Sequence, residues 1–343
     1  MQNKNKIILG ISCGDINGIG LEIILKAFSH SNLFDFCTPI LYAPLAAVNF
    51  YKTLYNYTNF NYHVITDTTQ NSQKQLNLIK MFNAHVEITP GENTKLAAEI
   101  ALQSLELMIE DYKKKKIDAV LTLPVNKQNI SLLKTDFLGH TDYLLQKLNK
   151  KENAMFLCAE NLRVATLTNH IPISEISSHI TETILIDKIN IIAQSLKEDF
   201  LIIKPKIAVL GLNPHAGDNG LIGKEEEEVI APTVKKMFDA GQLVFGPYSA
   251  DAFFGTGSYN KFDAVIAIYH DQGLIPFKSL SFGSGVNFTA GLPMIRVSPD
   301  HGVAYDIAGK GIADAGSCVS AIFLAHSIYK NRLTYFGNIR KND

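Results

Sequence analysis

Short β-branched and apolar runs alternate with longer amphipathic segments from one end of this chain to the other. That alternation is the pattern of an α/β fold with a largely parallel sheet. Strands are expected over 6–12, 39–42, 62–65, 118–123, 163–168, 206–212, 264–269 and 294–297, with helices between them. The clearest helix, over 94–114, puts Leu96, Ile100, Ala101, Leu105, Met108, Ile109 and Tyr112 on one face. A second, over 181–196, repeats the pattern with Ile184, Leu185, Ile189, Ile192 and Leu196. With 343 residues, 46% of them hydrophobic, there is apolar material for one long α/β domain or two sharing a cleft. Neither an internal repeat nor a low-complexity linker marks a boundary.

Charge excludes several function classes. Lysine plus arginine (32) nearly balances aspartate plus glutamate (33), so the overall field favours neither nucleic acid nor an acidic membrane surface. The run Lys113 to Lys116 reads as a solvated helix end that suits the negative pole of the helix dipole. Cys13, Cys37, Cys158 and Cys318 form no CxxC pair, which argues against a disulfide framework and a cysteine-based zinc site and fits a reduced cytoplasm. The early run "IILGIS" is too short for a signal segment. No stretch approaches the roughly 18 apolar residues of a membrane helix, so a soluble protein is expected.

Three histidines occupy equivalent places, each just past an expected strand: His170 in "RVATLTNHIP", His215 in "KIAVLGLNPHAG" and His270 in "IAIYHDQGLIPFK". The C-terminal strand ends of a parallel sheet lie along one edge, where ligands bind. Three imidazoles with an open position make a catalytic divalent-metal site; each histidine alone is more often a loop or core residue, and the shared position brings the two readings level. Asp271 adjoins one of them and Asp251 follows "GPYSA"; each is a candidate orienting partner or further ligand, and a helix cap accounts equally for Asp251. Glu225 to Glu228 read as dipole complementation at a helix start. After His270, Gly273 is read as letting the chain turn and Lys278 as returning toward the substrate.

Anion-binding residue types stand beside other strand ends: His140 and Thr141 in "FLGHTDYL", Asn287 and Arg296 in "FGSGVNFTAGLPMIR", and Lys278. A surface salt bridge is the alternative reading of Arg296, and a solvated side chain that of Lys278. "GDINGIGLEI" lacks both GxGxxG and the Walker lysine, so it is read as a tight turn packing the first helix against the sheet.

Together these blocks resemble the 4-hydroxythreonine-4-phosphate dehydrogenases of pyridoxal phosphate (vitamin B6) biosynthesis. The similarity runs from "GISCGDINGIGLEI" through "DAVLTLPVNK", "GHTDYL", "TNHIPI", "LNPHAGDNGLIGKEE" and "GPYSADAFF" to "YHDQGLIPFK" and "GVNFTAGLPMIRVSPDHGVAYDIAGKGIADAGS". The resemblance implies a fold of the isocitrate/isopropylmalate dehydrogenase type, with domains at 1–136 plus 307–343 and at 137–306. It implies oxidation of 4-phosphooxy-L-threonine at C3 by NAD or NADP, then decarboxylation to 3-amino-2-oxopropyl phosphate. By the same resemblance His170, His215 and His270 hold a divalent ion (zinc, magnesium, cobalt or manganese). His140, Thr141, Lys278, Asn287 and Arg296 bind the phosphorylated amino-acid substrate, with Lys278 and Asp251 as catalytic candidates. A loop like "DHGVAYDIAGKG" in related enzymes binds adenosine, which gives His301, Gly302 and Asp306 to the dinucleotide. A cytoplasmic homodimer with an active site drawing on both subunits is also implied, without nucleic acid or membrane partners. The departure is Ile16-Asn17, where the family usually has proline and alanine. Rival readings are a paralogous dehydrogenase of another acid, such as phosphorylated threonate or a dihydrodiol carboxylate, a three-histidine hydrolase using Asp271 as base, and a metal-free acyltransferase of related fold.

Overall fold

A computed structural model describes residues 6–29, 32–81, 86–134, 137, 139–160 and 162–342. The chain divides into two compact units, Met1–Lys151 with Leu292–Tyr329, and Glu152–Gly291 with Lys330–Asp343.

In the first unit the strands are β1 (Ile7–Ser12), β2 (Cys37–Ala43), β3 (Tyr62–Ile65), β4 (Leu76–Lys80), β5 (Ala119–Thr122) and, late in the chain, β12 (Ile295–Pro299). They lie in the order β3-β4-β2-β1-β5-β12, every neighbouring pair parallel. The helices are α1 (Gly20–Ser29), α2 (Leu45–Leu54), α3 (Lys95–Lys113), α4 (Lys127–Leu133) and α5 (His140–Lys147). Thr94 caps α3 by accepting from the Ala97 amide. Its buried stripe contains Ile100, Ala101, Leu105, Met108 and Ile109 as expected, whereas Leu96 and Tyr112 at its ends are only half-buried. The lysine run is not wholly solvated, because Lys116 pairs with Asp67 and Asp111.

The second unit carries β6 (Ala154–Ala159), β7 (Leu162–Thr166), β8 (Lys206–Leu210), β9 (Leu243–Tyr248), β10 (Ala264–Ala267) and β11 (Val286–Ala290), in the order β11-β6-β7-β10-β8-β9. β6 runs antiparallel to both of its neighbours, β11 and β7, while β7, β10, β8 and β9 are parallel. Its helices are α6 (Ile176–His179), α7 (Glu182–Glu198), α8 (Ala231–Asp239), α9 (Ala250–Gly255) and α10 (His270–Ser281). A long C-terminal helix, α11, spans Gly316–Asn342. Thr181 caps α7, whose buried face carries Leu185, Ile189, Ile192 and Leu196, but Ile184 is exposed.

The core under the parallel strands contains Val164, Ala208, Leu210, Val265 and Ala267 with Leu274 and Phe277 of α10. Burying each of those two helix side chains contributes about 1.5–3 kcal/mol. Gly273 lies inside α10 rather than at a turn. A Cβ there would stand 2.9 Å from Val164 Cγ1 and 3.0 Å from Ala267 Cβ, so the missing side chain lets the helix seat directly on β7 and β10. No helix of the described residues is long and apolar enough to cross a membrane.

Candidate active site

His170, His270 and His215 follow β7, β10 and β8, three adjacent parallel strands of the second unit. Pairing continues past the regular strands: the Leu167 and Thr168 amides donate to the carbonyls of Ala267 and Ile268, and Thr168 Oγ1 also donates to Ile268. Beyond that point Gln272 ties the next two strand ends together. Its Oε1 accepts from the Ile268 amide at 2.7 Å and its Nε2 donates to the Gly211 carbonyl at 2.6 Å. His270 therefore opens a helix, not a strand end, three residues past β10.

The His170 and His270 ring centroids lie 5.5 Å apart. Two imidazoles sharing one ion at about 2 Å per nitrogen with a roughly tetrahedral angle have centroids about 5 Å apart, so this pair fits a common cation. His270 Nδ1 lies 2.7 Å from Asp271 Oδ1, a contact through which the carboxylate restrains the ring.

His215 is held differently. Six consecutive residues, His215 to Gly220, have positive φ, among them His215 (55°), Ala216 (51°), Asp218 (44°) and Asn219 (54°). Each non-glycine residue in this region costs about 1–2 kcal/mol, and the surroundings must over-determine it. Buried Glu226 supplies the brace: its Oε1 accepts from the Asn213 amide at 2.7 Å and its Oε2 from Asn213 Nδ2 at 2.9 Å. Glu225 accepts from the same Nδ2 at 2.8 Å and from Ser177 Oγ. These two acids hold the histidine loop, besides standing at the helix start where dipole complementation is expected. The helix begins there with a π-helical turn, Glu226–Ile230, the kind of irregularity that aims side chains at sites.

Asp251 stands in the first turn of α9. The Ser249 hydroxyl and the Ala252 amide hold its carboxyl below the usual range. Among the described residues no group of three or more His, Cys, Asp or Glu is drawn close enough to hold a metal ion by itself. Of the three histidines, the chain brings His170 and His270 together. Elsewhere in this unit Lys278 is exposed on the last turn of α10, and the enclosed Oδ1 of Asn287 on β11 has no hydrogen-bond partner in the described chain.

The first unit carries the remaining candidates. Arg296, on β12, is 4% exposed and donates from Nε and Nη2 to Thr122 Oγ1 at 3.0 and 2.8 Å, so it is a buried cation rather than a surface salt bridge. Burial lowers its pKa to about 10, which leaves it charged at neutral pH. His140 and Thr141 open α5. Burial, with the charges of Arg296 and Lys127, holds His140 down at about 3, and its enclosed Nε2 has no hydrogen-bond partner in the described chain. A buried guanidinium beside a neutral imidazole at a helix N-terminus suits an anion.

His301, Gly302 and Asp306 lie on an irregular loop. Nδ1 of His301 is 3.1 Å from the Gly302 carbonyl, and Gly302 and Asp306 are exposed. The loop rests on the glycine-rich turn after β1. The Ile19 amide donates to the Val303 carbonyl, Tyr305 Oη donates to Asp15 at 2.6 Å, and a Cβ on Gly18 would stand 2.3 Å from Val303 Cγ1. The unusual Asn17 is buried and takes a structural role: its Nδ2 donates to Thr89 Oγ1, Thr94 Oγ1 and the Glu92 carbonyl, and its Oδ1 accepts from the Thr89 amide. The turn therefore packs α1, as expected, and also seats the 301–311 loop.

The family model described as pyridoxal phosphate biosynthetic protein PdxA matches residues 35–325. The chain is 44% identical over 331 residues to the 4-hydroxythreonine-4-phosphate dehydrogenase of Bacteroides thetaiotaomicron, covering 96% of this chain and 90% of that one. It is 42% identical over 317 residues to the enzyme of the same name from a Sulfurihydrogenibium species, covering 92% and 97%. The crystal structure of a 4-hydroxythreonine-4-phosphate dehydrogenase from Klebsiella pneumoniae superposes with a TM-score of 0.83 at 32% identity, over 96% of this chain and 99% of that one.

Proposed function

The chain belongs to the PdxA family of pyridoxal phosphate biosynthetic proteins, and we propose that it oxidises 4-phosphooxy-L-threonine at C3 with NAD or NADP. The 3-oxo acid so formed loses carbon dioxide to give 3-amino-2-oxopropyl phosphate. What carries this reading is the row of His170, His270 and His215 behind adjacent parallel strands, with two of the rings spaced for one cation. In it these three histidines hold a divalent ion of the zinc, magnesium, cobalt or manganese kind. When bound, that ion polarises the substrate hydroxyl and the dinucleotide takes the hydride.

The chain's own groups do the rest. Asp271 fixes the His270 ring, and Glu226 with Asn213 fixes the loop of His215. Arg296, His140 and Thr141 bind the phosphate, Lys278 and Asn287 complete the substrate contacts, and the Asn287 Oδ1 offers an enclosed acceptor. Asp251 or Lys278 takes part in moving the hydroxyl proton; the Ser249 hydroxyl and the Ala252 amide keep the Asp251 carboxyl below the usual range, so it is the ionised acceptor at neutral pH. The loop with His301, Gly302 and Asp306 takes the adenosine part of the dinucleotide. Four buried thiols without a disulfide support a reducing compartment, the cytoplasm. Exposed Leu333, Phe336 and Ile339 near the end of α11 support a homodimer.

Production of NADH from 4-phosphooxy-L-threonine, with and without added divalent ions, tests the proposal. Metal-dependent turnover of this compound over phosphorylated threonate is expected. Full activity after exhaustive chelation refutes the metal assignment, and faster turnover of phosphorylated threonate refutes the substrate.

A further inference from the structure

The structure assigns Lys127 to the phosphate subsite as a second cation beside Arg296, an assignment that rests on the phosphate-binding reading of His140, Thr141 and Arg296. Lys127 opens α4, directly after the cap residue Asn126, which accepts from the Asn129 amide. Its side chain extends to the start of α5. A Cβ placed on Gly139 would stand 3.4 Å from Lys127 Cε and 3.6 Å from its Nζ. Gly139 is the residue before α5, with φ 152° and no side chain over the open amides of the first turn. The ammonium therefore lies alongside the positive helix end where His140 and Thr141 sit.

Two observations independent of that helix end point to an anion. The Nε2 of His140 is enclosed and has no hydrogen-bond partner in the described chain. The positive charges of Arg296 and Lys127 both act on that imidazole, so both cations lie near the same ring. Among the described residues Asp142 brings a carboxylate to the same place, its Oδ2 3.9 Å from the same Cβ. A guanidinium and an ammonium beside a neutral imidazole favour a phosphate monoester. The two cations differ in kind. Arg296 is buried and held by Thr122, whereas Lys127 is exposed. Lys127 can thus meet an arriving phosphate from solvent while Arg296 fixes its final position.

The test compares Lys127→Met and Lys127→Arg with Arg296→Gln and with Lys147→Met, which removes a charge from the opposite end of α5. Steady-state kinetics on 4-phosphooxy-L-threonine and calorimetric titration with inorganic phosphate are the readouts. Lys127→Met should raise KM and the phosphate Kd about tenfold, as loss of one charge-assisted contact does, with kcat within about twofold. Lys127→Arg should recover most of the loss, and Lys147→Met should match the parent. If Lys127→Met leaves both constants within about twofold while Arg296→Gln raises them, the assignment of Lys127 is overturned and the phosphate site stands. If neither variant changes them, the phosphate site falls and Lys127 with it.

Discussion

Glu226→Gln is the most informative perturbation of the histidine edge, because it keeps the shape of a buried side chain and changes only what it can accept. The carboxylate receives the Asn213 amide on Oε1 and Asn213 Nδ2 on Oε2. In the glutamine variant one oxygen remains, and an NH2 group faces the Asn213 NH2. One hydrogen bond to a charged acceptor is lost, at about 1.5–3 kcal/mol, and about 2 kcal/mol is a fair working value. The loop it braces holds four non-glycine residues at positive φ, roughly 4–8 kcal/mol of conformational cost, so the weakened brace is felt at His215. Passed on in full to ion binding, about 2 kcal/mol is a roughly thirtyfold loss. That lies within the 10–100-fold range typical of groups orienting metal ligands. Competition with a chromophoric chelator measures the metal Kd, and thermal denaturation of the metal-free protein separates bracing from general stability. A metal Kd within about threefold of the parent refutes the reasoning, even if the melting temperature falls, because Glu226 would then be a packing group only.

His215→Ala and His270→Ala should each abolish turnover and metal retention, since three ligands are the usual minimum of a catalytic site; stoichiometric metal in either purified variant would contradict this. Lys278→Ala should raise KM for the phosphorylated substrate, and a larger fall in kcat than in 1/KM would assign it to proton transfer instead. His140 gives a pH prediction. Burial, with Arg296 and Lys127, holds its folded pKa at about 3, against about 6.5 unfolded. Below that value the unfolded chain gains a proton the folded one refuses, so stability falls as pH drops from 6.5 toward 3. At pH 5 the loss is about 2 kcal/mol. In phosphate-free buffer His140→Asn should therefore flatten the dependence of melting temperature on pH between 6.5 and 4, and a parallel curve would refute the burial of this imidazole.

Legibility in the sequence varied by element, for physical reasons. α3 and α7 were readable because periodicity and a threonine cap agree at Thr94 and Thr181. Four strands did not stand out. β9 contains Gly246 and Pro247 and reads as a loop, yet it ends the strand order, where proline's missing donor does no harm. β11 offered "VNFTA", whose polar residues suggested ligand binding more than a ladder; β4 and β6 are short runs beside denser signals. The placement of the three histidines past adjacent strands was legible because the same polar break follows three apolar runs, although each histidine alone has a structural reading. The bracing role of the acids at 225 and 226 was not legible because several glutamates before a helix already have a sufficient electrostatic explanation, and only the folded chain brings Asn213 against them. Asn17 and Lys127 were unreadable for a similar reason. Their partners lie 72 residues downstream in one case and at the start of the next helix in the other.

The Gln272 bridge between Ile268 and Gly211 acts as an extra rung added where two strands have already parted. A rung made by a side chain can hold two loops in register without lengthening the strands that carry them. His270 and the approach to His215 thereby share one rigid frame built entirely from protein atoms. If His270 and His215 share an ion as proposed, this rung keeps their two loops in register whether or not the ion is bound.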